Sequence, residues 1–296
     1  MTFYLHDLNM QSHLEEMIER FASEGRTNLK NNISITWIRY PNSKPKPNSG
    51  VGAKWSSNKP TYPASVVKLI YAIATEDWVK NDLIPDSDEL RRALKDMISK
   101  SSNDATSLII DLLTGSTSGP SLKGERWIAW KKQRNTINKW LRKFEWAELN
   151  TFNCCQKTWS EEPYGREKDF YQEKGNNRNS LTTDGTARLL EGVMTNNIVS
   201  PEACKRLRYL LERSLLINDR KTDPENQIDG FLGEGLPKKS RIWSKAGWMS
   251  SARHDAAWIS NEQEAGPTLI VVFNCGEDSS TDTFLLPAIA SSLTKS

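Results

Sequence analysis

The sequence predicts an α+β protein in which an antiparallel sheet, flanked by N- and C-terminal helices, carries an inserted all-helical domain. Three observations point there. Alternating segments suited to strands occur near both chain ends, apolar residues recur at three- and four-residue steps through the long middle, and strand patterning returns in the last quarter. Residues 1–62 and 215–296 are expected to form one sheet-plus-helix domain and 63–214 the insertion, with the functional site at their interface.

Met10, Leu14, Met17, Ile18 and Phe21 fall on one helical face, and Gly25 ends that helix. Ile33 to Tyr40 and Val51 to Trp55 read as strands joined by a Pro-, Ser- and Asn-rich loop. An almost wholly apolar helix follows Pro63, and a helix from about Asp88 places Leu90, Leu94, Met97 and Ile98 together. It runs into Ser101-Ser102-Asn103, after which Ala105, Leu108, Ile109, Leu112 and Leu113 are read as another stripe, stopped by Gly115. Ser101 and Asn103 therefore sit in a tight link between helices. Trp127, Trp130, Ile137, Trp140, Leu141 and Phe144 read as core rather than a ligand box. Periodicity is lost over about 150–180, a long loop of the kind that often carries function. Helices resume at Thr183 to Met194 and Ser200 to Ser214, followed by strands at Ile242 to Met249, Ala252 to Ser260 and Thr268 to Asn274, and a closing helix at Thr283 to Thr294.

Composition narrows the function. At 296 residues and 37% hydrophobic content the chain can bury a large core, and 40 basic against 37 acidic residues give a net charge of only +3. No dense Lys/Arg face stands out, so nucleic acid is not an expected partner. There is no run of 18 apolar residues, and the opening Met-Thr-Phe-Tyr-Leu-His-Asp lacks a basic region before an apolar one, so neither a membrane span nor an export signal is expected. Cys154, Cys155, Cys204 and Cys275 form no Cys-x-x-Cys and are expected as reduced or buried thiols. His6, His13 and His254 match no zinc pattern, and neither a metal nor another cofactor is expected. A Ser-His-Asp triad would need His254, whose neighbour Asp255 on a strand faces the other way. A small-molecule substrate is the expected partner, and the chain is expected as a monomer.

The stretch Pro63-Ala64-Ser65-Val66-Val67-Lys68 supplies chemistry for such a substrate. Residues i and i+3 at a helix start share a face, so the Lys68 amine can reach the Ser65 hydroxyl. At its reference pKa a lysine is neutral in about one molecule in 2,500 at pH 7, a handicap of roughly 4.6 kcal/mol for a base. Burial and the positive end of the helix dipole both lower that handicap. Ser-x-x-Lys also occurs at Ser43/Lys46, Ser56/Lys59 and Ser292/Lys295, but only Ser65 opens a buried-type helix.

Taken together, Ser65-x-x-Lys68, Ser101-x-Asn103 and Lys245-Ala246-Gly247 occur in the order found in the penicillin-recognising serine enzymes, and the chain most closely resembles the class A β-lactamase family. The phrase Leu181-Thr182-Thr183-Asp184-Gly185-Thr186-Ala187 and the final strands and helix extend the likeness. The resemblance implies a β-lactamase/transpeptidase-like fold and a hydrolase that opens β-lactams, the activity behind resistance to those antibiotics. It implies Ser65 as nucleophile, Lys68 as its base and Ser101 as proton donor to the leaving nitrogen. Asn103 would bind the substrate amide, and Lys245 would supply charge for Ser101 and a substrate carboxylate. The Ser65 and Trp248 backbone N–H groups would hold the oxyanion beside Gly247, and Arg253 would be a second carboxylate anchor. It also implies action outside the cytoplasm, at odds with the expectation of no export signal.

Several positions depart from the family pattern. Ala246 replaces a hydroxyl residue that would bond the substrate carboxylate, and Ser102 replaces an aspartate. The loop glutamate that activates water for deacylation has no flanking pattern here: Glu161, Glu162, Glu167 and Glu173 are all available. Glu162-Pro163 echoes the family's Glu-Pro, and Glu167 stands nearer the usual distance before Thr182-Thr183. Without a competent base the enzyme would acylate and stall, so a penicillin-binding-protein-like D-alanyl peptidase or small-ester hydrolase with slow deacylation is the alternative. A catalytically silent binding or sensing module is the third.

Overall fold

The computed structural model describes residues 3–173 and 176–294. The chain divides into two compact units, one made of the residues up to Lys59 with those from Thr183 onward, the other of Pro60–Thr182. Among the described residues no helix is long and apolar enough to cross a membrane.

The first unit is built on a seven-stranded sheet. Its strands are β1 (Leu5–His6), β2 (Ile33–Arg39), β3 (Val51–Trp55), β4 (Glu212–Arg213), β5 (Ser240–Met249), β6 (Ala252–Asn261) and β7 (Thr268–Cys275), ordered β1-β3-β2-β7-β6-β5-β4. All neighbours are antiparallel except β1 with β3, which are parallel. Alternation sends Ile33, Ile35 and Trp37 of β2 to one face, where they meet Ile242, Ala246, Ala257, Ile259, Ile270 and Val272. The stripes of helices Leu8–Ser23 and Leu285–Leu293 cover that face, Met10, Leu14, Met17 and Ile18 from the first and Leu286, Ile289 and Leu293 from the second. Asp7 caps the first helix by accepting from the Met10 N–H at 2.9 Å.

Helices Thr183–Met194 and Pro201–Leu211, expected in the helical insertion, belong to the sheet unit. Thr183–Met194 packs on β2, β6 and β7. An amphipathic stripe states that a face is buried, not what buries it. The start of this helix is fixed by Asp184, fully buried, which accepts from Thr36 Oγ1 at 2.7 Å, Ser57 Oγ at 2.8 Å and the Tyr4 hydroxyl at 3.2 Å.

Further along the same helix Glu191 is buried, and its Oε1 accepts from the Tyr40 hydroxyl at 3.0 Å and the Asn48 N–H at 3.1 Å. Burial pushes its carboxyl up to about 7 against these hydrogen bonds. The native state therefore holds a proton that the unfolded chain has released between pH 4.5 and 7, and stability falls as pH rises through that window. Glu191→Gln keeps both acceptor bonds and removes the charge. It is expected to stabilise the protein by roughly 1–3 kcal/mol at pH 8 and to have little effect at pH 5. Thermal melts at the two pH values check this; equal shifts at both would refute it.

The second unit is helical. Val67–Lys80 runs buried through its centre, flanked by Asp88–Ser99 and Asn103–Thr114. Ser87 and Ser102 cap the latter two helices, and Gly115 ends the second in the left-handed conformation at φ +62°. Asn103–Thr114 buries Thr106, Ile109, Ile110 and Leu113 and leaves Leu108 and Leu112 well exposed, a rotation from the stripe read in the sequence that brings Thr106 inward. Of the tryptophans read as core, Trp130 and Trp140 are buried and Trp127 is half-buried. Trp127 stacks on Trp130 at 5.5 Å, and Phe170 meets Trp130 edge-on at 5.3 Å. Phe170 lies in Gly165–Gln172, a helix within the stretch read as loop. The four cysteines are free thiols, three of them buried.

Candidate active site

In the helical unit Ser65 sits in a single 3-10 turn, Ala64–Val66, that leads directly into Val67–Lys80. Ala64 is held at φ +46°, a conformation that side-chain-bearing residues adopt only under constraint, and Ser65 is half-buried. One turn on, Lys68 is completely buried. Its Nζ donates to Ser101 O at 2.5 Å, Asn103 Oδ1 at 2.8 Å and Ser101 Oγ at 3.2 Å. The chain reverses here because Asp88–Ser99 ends at Lys100, Ser101 takes φ +55° and Ser102 already caps the next helix. Two side chains, Ser101 and Asn103, and one main-chain carbonyl thus converge on the Lys68 amine. Burial lowers its pKa to about 7, where a neutral amine is available at physiological pH. Asn103 also donates through Nδ2 to Ser160 Oγ at 3.2 Å, which ties the long loop to this cluster and was not foreseen in the sequence.

The deacylation candidates lie elsewhere. Glu167 is fully buried, ion-paired with Arg134 at 2.5 Å, and accepts from Ser118 Oγ at 2.8 Å. Glu162 is exposed and lies 3.7 Å from Lys168, Glu161 is exposed, and Glu173 pairs with Lys131 at 2.5 Å. Arg134, 33 residues upstream of Glu167, gave no sequence signal as its partner.

In the sheet unit Lys245 is completely buried on β5, and its Nζ donates to Gln227 Oε1 and to Ala246 O, both at 2.6 Å. The Ala246 N–H donates to the same Gln227 oxygen at 3.1 Å, and Ser244 O accepts from Arg213 Nη2 at 2.9 Å. Main-chain groups of alternate residues point to the same side of a strand, so Ser244, Ala246 and Trp248 all address the edge of β5 away from β6. Gly247 is buried opposite His254, and the Trp248 ring is largely exposed with its Nε1 on Ser280 O at 3.0 Å. Arg253 is buried rather than a surface arginine: Nε donates to Ser280 O at 3.0 Å and Nη1 to Gly230 O at 3.4 Å, and its guanidinium lies over Phe231. His254 accepts from the Asn274 N–H at 3.0 Å, while Asp255 accepts from the Leu232 N–H at 3.2 Å and is pushed up by burial to about 7. The two project from opposite faces of β6, as alternation requires.

A model of the beta-lactamase enzyme family matches residues 84–293, well over half of the chain. The match spans Ser101, Asn103 and the Lys245 strand and begins after Ser65 and Lys68. No curated protein sequence matches the chain. Among solved structures the chain is similar to a β-lactamase from Sphaerobacter thermophilus, with TM-score 0.65 and 16% identity over 96% of this chain and 95% of that one. It is similar to a β-lactamase from Xanthomonas campestris, with TM-score 0.64 and 16% identity over 96% and 98%. A variant of PBP-A, described as an acyl-enzyme complex with penicillin G, aligns with TM-score 0.62 and 15% identity and also shares the fold. These likenesses give the fold, a mostly antiparallel sheet with helices, and the family match reaches the same answer from sequence: the chain belongs to the beta-lactamase enzyme family.

Proposed function

We propose that the chain is a serine hydrolase that opens β-lactams, or related strained amides and esters, through an acyl-enzyme on Ser65. The observation that carries this reading is Lys68: a buried amine with its pKa lowered to about 7, held by Ser101 and Asn103 one helical turn from the nucleophile. Ser65 Oγ attacks the carbonyl carbon as Lys68 Nζ takes its proton, and the Ser65 and Trp248 N–H groups receive the negative oxygen. Collapse of that intermediate breaks the C–N bond. Ser101 Oγ protonates the leaving nitrogen and is reprotonated from Lys68, and water then hydrolyses the ester.

The environment of Glu167 favours slow hydrolysis of that ester. Glu167 Oε1 is already engaged by Arg134 and Ser118, and Glu162 lies in solvent. A PBP-A variant of similar fold, described as an acyl-enzyme complex with penicillin G, supports this reading. Intact mass and product formation, followed together after adding penicillin G, test both steps. A lasting adduct on the wild type and none on Ser65→Ala is the expected result. A transient adduct with steady turnover would keep the nucleophile and assign an efficient base, whereas no adduct and no product would overturn the reading.

A further inference from the structure

The Lys245 end of the site contains an anion seat that is already filled from within. The ammonium of Lys245 and the N–H of Ala246 converge on a single oxygen, at 2.6 and 3.1 Å, and that oxygen is Oε1 of Gln227. An ammonium and a backbone amide aimed at one point are the donors that would bind a carboxylate oxygen. We infer that Gln227 is a specificity-determining residue whose carboxamide oxygen occupies the seat where Lys245 would hold a substrate carboxylate, so that the site selects acyl donors uncharged at that position. The inference rests on the acyl-enzyme reading above and names the substrate class that it serves.

Four further observations support it. Gln227 is itself buried, only 6% exposed, so its oxygen is not exchanged freely with water. Its position is fixed by both neighbours: Asn226 Oδ1 accepts from the Ile228 and Asp229 N–H groups at 3.0 and 2.9 Å, and Ile228 is buried in the sheet core. The Ala246 side chain adds no donor at the seat, because its methyl lies in that same core. Arg253, the other cation expected to receive a carboxylate, spends its Nε and Nη1 on the Ser280 and Gly230 carbonyls. A substrate carboxylate must therefore displace Gln227 and strand a buried carboxamide oxygen, whereas an uncharged donor need not.

Binding of penicillin G and of its methyl ester, measured calorimetrically on Ser65→Ala, separates the two charge states without requiring acylation. The ester is expected to bind at least as tightly as the acid. Adding Gln227→Ala should tighten the acid by about tenfold or more and leave the ester within about threefold. Adding Gln227→Glu, of the same shape, should weaken the acid by about tenfold through like charge and again spare the ester. Opposite signs from the two variants are not produced by a purely structural glutamine. If Gln227→Ala fails to fold in a thermal melt, Gln227→Glu alone carries the comparison. An acid-to-ester ratio unchanged in the variants, an acid that binds tenfold tighter than the ester at the outset, or no binding of either ligand overturns the inference. Binding that follows the expected pattern with no adduct on wild-type Ser65 would leave Gln227's role standing and reject the acyl-enzyme reading instead.

Discussion

Lys68→Met is expected to slow acylation of Ser65 by roughly 10²–10⁴-fold, the usual contribution of a positioned general base. Methionine fills a similar volume in a fully buried position, so the helix keeps its packing while the proton acceptor is lost. Lys68→Arg is the matched control: it retains the charge near Ser101 and Asn103 but cannot act as a base at neutral pH. The wild-type acylation rate should rise with pH and level off above about 7, because the reactive species is the neutral amine. The methionine variant should lose that inflection. Stability moves in the same direction as the wild-type rate. With the folded pKa near 7 and the unfolded value at 10.5, the unfolded chain holds the extra proton between them. The cost of burying the amine is full below pH 7 and is relieved as pH rises toward 10.5. Acylation followed by rapid mixing from pH 6 to 9 checks both variants, and a methionine enzyme within about threefold of wild type would remove Lys68 from the mechanism.

Where the sequence carried a local physical signal, the structure follows it. The alternation of Ile33, Ile35 and Trp37 set the core face of β2, and Ser87, Ser102 and Ser200 each cap the helix they precede. The apolar stripes on either side of Ser101 placed it between two helices, and with it the turn that meets Lys68. Information was missing where partners are distant in sequence. The stripe of Thr183–Met194 could not say that it covers a sheet rather than other helices. Gly165–Gln172 was read as loop because its buried residues are one glutamate and one phenylalanine, too few apolar positions to show a period. Gln227 lies in a polar turn with no pattern, and its importance comes only from Lys245 and Ala246 arriving at its oxygen. Glu167 was singled out by its distance from Thr182-Thr183, a measure blind to the arginine that holds it.

That arginine gives the largest expected effect on stability. Arg134→Met should destabilise the helical unit by about 3–5 kcal/mol, because it leaves Glu167 charged and fully buried. The second cation nearby does not replace it: Lys157 Nζ lies 4.0 Å from Glu167 and is already within 2.9 Å of both Asp111 and Ser118 Oγ. The pair itself is imperfectly satisfied. Glu167 Oε2 and Arg134 Nε and Nη1 are buried without a hydrogen-bond partner among the described residues, so the ions are desolvated more completely than they are repaid. Removing both charges together, as Arg134→Met with Glu167→Leu, should therefore recover most of the loss, since the apolar pair packs beside Trp130, over whose ring the guanidinium lies at 4.8 Å. Denaturant unfolding of the two single variants and the double one measures the coupling directly. The same proteins test the role of Glu167 in chemistry. If Glu167 serves only to hold the 150–180 stretch, the double variant should form and lose the Ser65 adduct at the wild-type rate once folded. A double variant that is stable but holds its adduct at least tenfold longer would instead make Glu167 the group that activates water, drawn away from Arg134 during turnover.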